Sequence, residues 1–417
     1  MAVFFALLII SCKEDEQMNP LASFTVTIQN VFEGKDYFMS GKSEFIAPGE
    51  SYSFSFHAGK GHNLSYATMF GQSNDLFYAL DENGIALYDD SGNPLTGDIT
   101  SMFDLWDAGT EVNQEPGVGL DQAPRQSGPD TGMDENSTVT LLTDVNDGFS
   151  YPEDNMVIKV TIEHDSHTMF TVTVTNVSDA GIFQTPLAPG TWVIHSEGQP
   201  IFTSGREASE GLEHMAEDGA NSMLAEALSQ NSGYVSPIAP GAWAVHNMSN
   251  PVYVFGQVAS VELEALAEDG DPSGFLNSLQ GVSGIRSYGI YNTPLGGGSP
   301  APIFPNEQFT FEFEAESGDK LSFASMLGQS NDLFVGADID LFQNGVPVSG
   351  DITSHLDLLD AMTEVNEFPG AGNFQAPRQP NPDSGEIENG PIGVINDSFE
   401  YPMITDMVKV SITSNIY

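Results

Sequence analysis

Two sets of carboxylates, in corresponding places of a repeated sequence, are the residues of this chain best suited to chemistry. In the first set Asp75 closes a Ser-Asn-Asp turn, and Asp107 and Glu111 follow within Asp104-Leu-Trp-Asp-Ala-Gly-Thr-Glu111. In the second set Asp332 is followed by Asp360 and Glu364 within Asp357-Leu-Leu-Asp-Ala-Met-Thr-Glu364. Calcium takes about six to eight oxygens, mixing carboxylates with backbone carbonyls and water. One acid on one loop and a pair four residues apart on another would supply three anionic ligands from two directions. If the second loop turns helically, that spacing puts both side chains on one face. Two other readings use the same residues. The repeat could preserve capping or turn roles, or two of the carboxylates could act as general acid and base. Nothing else catalytic accompanies them.

Other chemistry-bearing residues read more simply as structure. Trp192 and His195, like Trp243 and His246, alternate along Trp-Val-Ile-His and Trp-Ala-Val-His segments, so each pair points to opposite faces of a strand. A core tryptophan with a hydrogen-bonded histidine is expected there. The eight histidines show no His-x-x-x-His or His-Glu-x-x-His spacing, which argues against zinc. There is no Gly-x-Ser-x-Gly elbow, and Gly296-Gly-Gly-Ser299 lacks the lysine of a phosphate loop.

The elements that must position the acids are duplicated. Phe24-Thr-Val-Thr-Ile-Gln-Asn30 is answered by Phe170-Thr-Val-Thr-Val-Thr-Asn176, and Ser51-Tyr-Ser-Phe-Ser-Phe56 by Gln308-Phe-Thr-Phe-Glu-Phe313. All alternate as half-buried strands do. Gly71-Gln-Ser-Asn-Asp-Leu-Phe77 recurs at Gly328–Phe334, Gln122-Ala-Pro-Arg125 at Gln375–Arg378, and Asn146-Asp-Gly-Phe-Ser-Tyr-Pro152 at Asn396–Pro402. Read along the chain, the second copy carries a block, residues 186–280, that the first lacks. That block is itself doubled. In it Leu212, Met215 and Ala216, and again Leu263, Leu266 and Ala267, are spaced for one helical face, with Gly219 and Gly270 as stops. Shorter helices are expected near Met223–Leu228 and Phe275–Leu279. The reading is therefore mainly β, two tandem antiparallel β-sandwiches over 23–166 and 167–417, the second with inserted short helices. The short polar stretch between Ile162 and Phe170 reads as a tight linker that fixes their mutual orientation.

Composition narrows the function. With 11 basic against 59 acidic side chains the formal charge is −48, which repels nucleic acid and favours solubility. A hydrophobic fraction of 40%, with 27 Phe and 12 Tyr, is enough to fill real cores. At the N-terminus the apolar run Ala2–Ser11 is too short to span a bilayer, which takes about 20 residues, but fits a signal-peptide core. It ends at Cys12, the only cysteine. Ile9-Ile-Ser-Cys12 resembles a bacterial lipobox, and Cys12-Lys-Glu-Asp-Glu16 resembles a surface-export signal. Residues 1–11 are read as a lipoprotein signal, 12–22 as an acidic tether, and Cys12 as the lipidated residue. The cell surface, by a lipid anchor in the outer membrane, is the expected location.

From Trp192 onward the motifs resemble those of the spondin N-terminal domain family. They are His195-Ser196, Phe202-Thr-Ser-Gly205, Ala208-Ser-Glu-Gly-Leu212, Ala216-Glu-Asp-Gly219, Ser330–Gly336, Asp360–Glu364 and Ser398-Phe-Glu-Tyr-Pro402. The resemblance covers most of residues 170–413, and the first copy shares only its sheet and acidic-loop motifs. It implies a sandwich similar to calcium-dependent membrane-binding domains. It also implies calcium held by Asp332, Asp360 and Glu364 and, through the internal repeat, by Asp75, Asp107 and Glu111. The last ligand is Glu where animal members have Asp, the animal cysteines are absent, and Met362 replaces the glycine kept as Gly109. The function implied is adhesion, to a surface glycan or protein, without catalysis. The rivals are a polysaccharide-active enzyme and a structural envelope protein.

Overall fold

The computed structural model describes residues 21–416 except residue 182, so the lipoprotein signal and Cys12 lie outside the described residues. The chain is mainly β, with antiparallel sheets and a few short helices. It forms two sandwich-like lobes of two sheets each. In one lobe the strands order as Ser51–His57, Met169–Asn176, Ile158–Ser166 and Gly97–Asp98. The facing sheet runs Met39–Lys42, Thr191–His195, Asn63–Met69, Leu76–Ala79, Asp104–Asp107 and Thr140–Leu141. The other lobe pairs Gln308–Glu316, Leu21–Asn30, Val408–Ile416 and Gly350–Asp351. Its second sheet orders Ile285–Tyr291, Ile238–His246, Lys320–Leu327, Leu333–Asp340 and Asp357–Asp360.

The spatial units are not the two sequence halves. Strand Leu21–Asn30, which opens the first copy, lies between two strands of the second, with Val26 opposite Phe311 on one side and Ile412 on the other. Strand Met169–Asn176, which opens the second copy, lies between strands of the first, with Val172 opposite Phe54 and Ile162. The two opening strands carry the same alternating Phe-Thr-Val-Thr pattern, so either could fill either slot by side-chain packing alone. Lobe 1 is therefore the continuous stretch from about Tyr37 to Ser232, inserted into lobe 2, which consists of the first strand and residues 234–416. Where the chain leaves and re-enters lobe 2, Tyr37 and Ser232 form a parallel bridge. The Ile162-to-Phe170 stretch belongs to a hairpin inside one sheet, not to a linker.

The same exchange redistributes the helices. Helices α1 (Glu210–Asp218) and α2 (Ser222–Gln230) pack Leu212, Met215 and Leu228 against Ala67, Phe77 and Trp106 of lobe 1. Helices α3 (Val261–Asp269) and α4 (Phe275–Ser278) pack Leu263, Leu266 and Phe275 against Ala324, Phe334 and Leu359 of lobe 2. The block is thus one helical pair per lobe. The first helix of each pair starts on a serine whose hydroxyl accepts from the third residue on, Ser209 from Leu212 and Ser260 from Leu263. Each ends on a left-handed glycine, Gly219 or Gly270. Trp192 stacks on Phe54, and Trp243 on Phe311, between the sheets. The histidines on the opposite faces bond Ser65 and Ser322, so both pairs are core furniture, as their alternation predicts.

Candidate cation site in each lobe

Strand pairing brings two of the predicted acids of each set together. Leu76 lies opposite Asp107 and Leu333 opposite Asp360, so the residue before each leucine meets the aspartate at the end of the neighbouring strand. Backbone bonds close the junction, from Ala108 N to Asp75 O and from Ala361 N to Asp332 O. Asp75 and Asp332 are both fully buried. In each, Oδ2 accepts three bonds: from the amide and hydroxyl of Thr110 and the amide of Glu111, and from those of Thr363 and Glu364. In each, Oδ1 accepts no bond from an amide or hydroxyl, and its polar neighbour is the other aspartate of the pair, Asp107 or Asp360. A buried carboxylate oxygen without a donor is costly, and here the same orphan occurs twice.

The neighbouring aspartates are held by their own loops. Asp107 accepts from Gly109 N and Asn113 Nδ2, and Asp360 from Met362 N and Asn366 Nδ2. Burial, followed by the nearby Asp360, pushes the Asp332 carboxyl up to about 7; burial and Asp107 likewise hold Asp75 well above the ordinary range. Asp107 and Asp360 are raised as well, chiefly by burial. The loop after each aspartate turns through a left-handed residue, Gly109 at φ 71° and Met362 at φ 56°. A side chain at Gly109 would meet the Thr138 backbone at 2.8 Å, whereas Met362 lies over Gly390, whose missing side chain leaves it room.

The third predicted acid goes elsewhere. Glu111 gives its backbone amide to Asp75, but its carboxylate accepts from Gly132 N and Asn74 Nδ2. That carboxylate gathers with Asp130 and Glu217, their ligand atoms all within 4.8 Å of one another. Glu364 behaves alike, accepting from Gly385 N and Asn331 Nδ2. In lobe 2 the corresponding cluster is Glu264, Glu268 and Asp383. The expected trios are thus split: the aspartates pair, Glu111 joins the acidic cluster of lobe 1, and Glu364 is held by its own loop outside the Glu264, Glu268 and Asp383 group. Burial, then neighbouring acids, pushes Glu217 up to about 7 and Glu268 to about 8. Sequence reasoning missed Glu217 and Glu268 because Ala-Glu-Asp-Gly was read only as a helix end. Its repetition at 216–219 and 267–270 was the available signal.

Asp104 and Asp357, the first acids of the same two segments, stand at the starts of their short strands, exposed, at the end away from the aspartate pair. What each pair offers a ligand is carboxylate oxygen, which suits a hard divalent cation such as calcium or magnesium. No helix among the described residues is long and apolar enough to cross a membrane. No protein-family model matches the chain, and no curated protein matches it.

Proposed function

We propose that the protein is a non-catalytic binding module of the cell surface, with a calcium ion stiffening the acidic loops of each lobe. The observation that carries this reading is the orphaned Oδ1 of Asp75 and of Asp332, each fully buried beside a second aspartate. A cation there would satisfy the orphan and offset the burial, and after it the neighbouring carboxylate, that hold Asp75 and Asp332 above the usual range. Asp75 with Asp107, and Asp332 with Asp360, would hold the ion. Glu111 and Glu364 would brace the Asp75 and Asp332 carboxylates through their amides. The spondin-like motifs favour the same reading and supply adhesion as the role.

Anchoring at Cys12 suits the same picture. The chain enters lobe 2 at Leu21, opposite Glu316. Asp332 lies past the far end of the Lys320–Leu327 strand, beside the Asn30 end of the first strand. The first strand's 10 residues span about 33 Å at the usual rise, so a lipid anchor would leave the Asp332 loop at the end of lobe 2 away from the membrane. Titration calorimetry of calcium into the whole chain tests the proposal. Two equivalents are expected, with affinity in the range of about 10⁻⁴–10⁻³ M of extracellular sites or tighter. Asp75→Asn and Asp332→Asn should each remove one. A flat titration of the unaltered chain would dispose of it.

A further inference from the structure

The lobes enclose a cavity of about 320 Å³ between them, beside the Asp332–Asp360 pair. Lobe 1 supplies His57 to its wall, and lobe 2 supplies Phe368, Phe374 and Phe399. The His57 ring stacks on Phe368 at 3.7 Å between centroids, with Nδ1 bonded to the Thr168 hydroxyl. Burial lowers its pKa, so it is a neutral aromatic wall at neutral pH. Phe399 meets Phe368 edge-on. Phe374 remains 38% exposed. The lobe 1 loop of the same sequence pattern carries Glu115 where lobe 2 has Phe368, and Asp121 where it has Phe374. Two acids on one copy of the scaffold are thus two aromatics on the other.

We infer that this cavity binds the end of an uncharged glycan, one pyranose ring stacked on Phe374. The inference deepens the proposed binding role and rests on it, since it names the ligand of the same cation-braced end. A sugar ring presents a C–H face to aromatic groups and a rim of hydroxyls to acceptors. Around the three phenyl rings stand acceptors for the rim: the carboxylate of Glu386 and the side-chain carbonyl of Asn366. No Lys or Arg lines the cavity, and the chain's charge of −48 disfavours an anionic sugar. Glu367 has its oxygens engaged by the amides of Asn373 and Phe374, which leaves Glu386 as the free carboxylate of the cavity, and the rival occupant, an amine, is an outcome of the test below. The volume lies near the low end of small-ligand pockets, about 300–1,000 Å³, which suits a chain end. The cavity floor is tied to the cation pair, for Asn366 donates to Asp360, and Asn331, next to Asp332, donates to Glu364 and Glu367. Cation and sugar binding should therefore reinforce each other.

Saturation-transfer NMR and calorimetry on the whole chain test this. The probes are glucose, galactose, mannose, N-acetylglucosamine and their disaccharides, with glucosamine as the amine, and with calcium saturating and then chelated. At least one sugar should bind once per chain, more weakly without calcium. Phe374→Asp, which installs the acid that the other lobe carries at this position, should weaken it about tenfold, the loss of one stacking contact with its buried area. Its calcium isotherm and thermal midpoint should be unchanged. The inference is overturned if calcium binds but no neutral sugar does, if Phe374→Asp binds sugar as well as the parent, or if only amines are bound. Sugar binding without any calcium binding would uphold the cavity and remove the cation reading.

Discussion

Asp332 has three donors on one carboxylate oxygen and none on the other. A proton or a cation can complete such a group, and the raised pKa measures how strongly the fold asks for one. The same demand is made at Glu217 and Glu268, buried on the last turns of α1 and α3, where the helix dipole also disfavours negative charge. Their folded pKa values lie above those of the unfolded chain. They therefore contribute stability that is full below about pH 4, the unfolded carboxyl range. That contribution is lost as pH rises through about 7 and about 8. With chelator present, the thermal midpoint should fall from pH 5 to pH 9. The double variant Glu217→Gln, Glu268→Gln should flatten that fall. An unaltered slope in the variant would place the pH dependence elsewhere.

At the scale of elements, the helices stand where apolar spacing and glycine stops put them, because their signals are local. An N-cap serine three residues before Leu263 and a left-handed glycine after Asp269 need no tertiary information. Ser260→Ala should cost about 1 kcal/mol, read as a lower unfolding midpoint for lobe 2 alone. The aspartate pairs were legible at the same level: a turn acid and a strand-end acid, repeated twice. Glu111 and Glu364 were misplaced because spacing says which residues are near in sequence, not which rotamer a loop allows. Here Gly132 N and Gly385 N draw the glutamates away from the pairs.

Across the whole molecule, the opening strand belongs to the lobe that closes the chain. Removing residues 21–30 should therefore strip lobe 2 of a central strand and leave lobe 1 folded. Hydrogen exchange should show lost protection in Gln308–Glu316 and Val408–Ile416, with Ser51–His57 still protected. Loss in Ser51–His57 instead would contradict the strand exchange. The lobes meet closely: a side chain on Gly59 would come within 2.1 Å of the Ala371 carbonyl, and Lys60 N donates to Asn373. This contact, with the paired crossing segments at Tyr37 and Ser232, sets their orientation and shapes the aromatic cavity.

The sequence alone determined the β class, the duplication, the helices with their glycine stops, and the aspartates that meet in each lobe. Each follows from periodicity or from a motif a few residues long, which nearby atoms enforce. Only the tertiary structure decided which copy each opening strand completes, because two strands with one alternating pattern offer the same faces to either slot. It also decided where the glutamates point and that a cavity opens between the lobes. Those features depend on residues from 21 positions apart, as for the glutamates, to hundreds apart, as for the cavity, meeting in space, and no local pattern records that meeting.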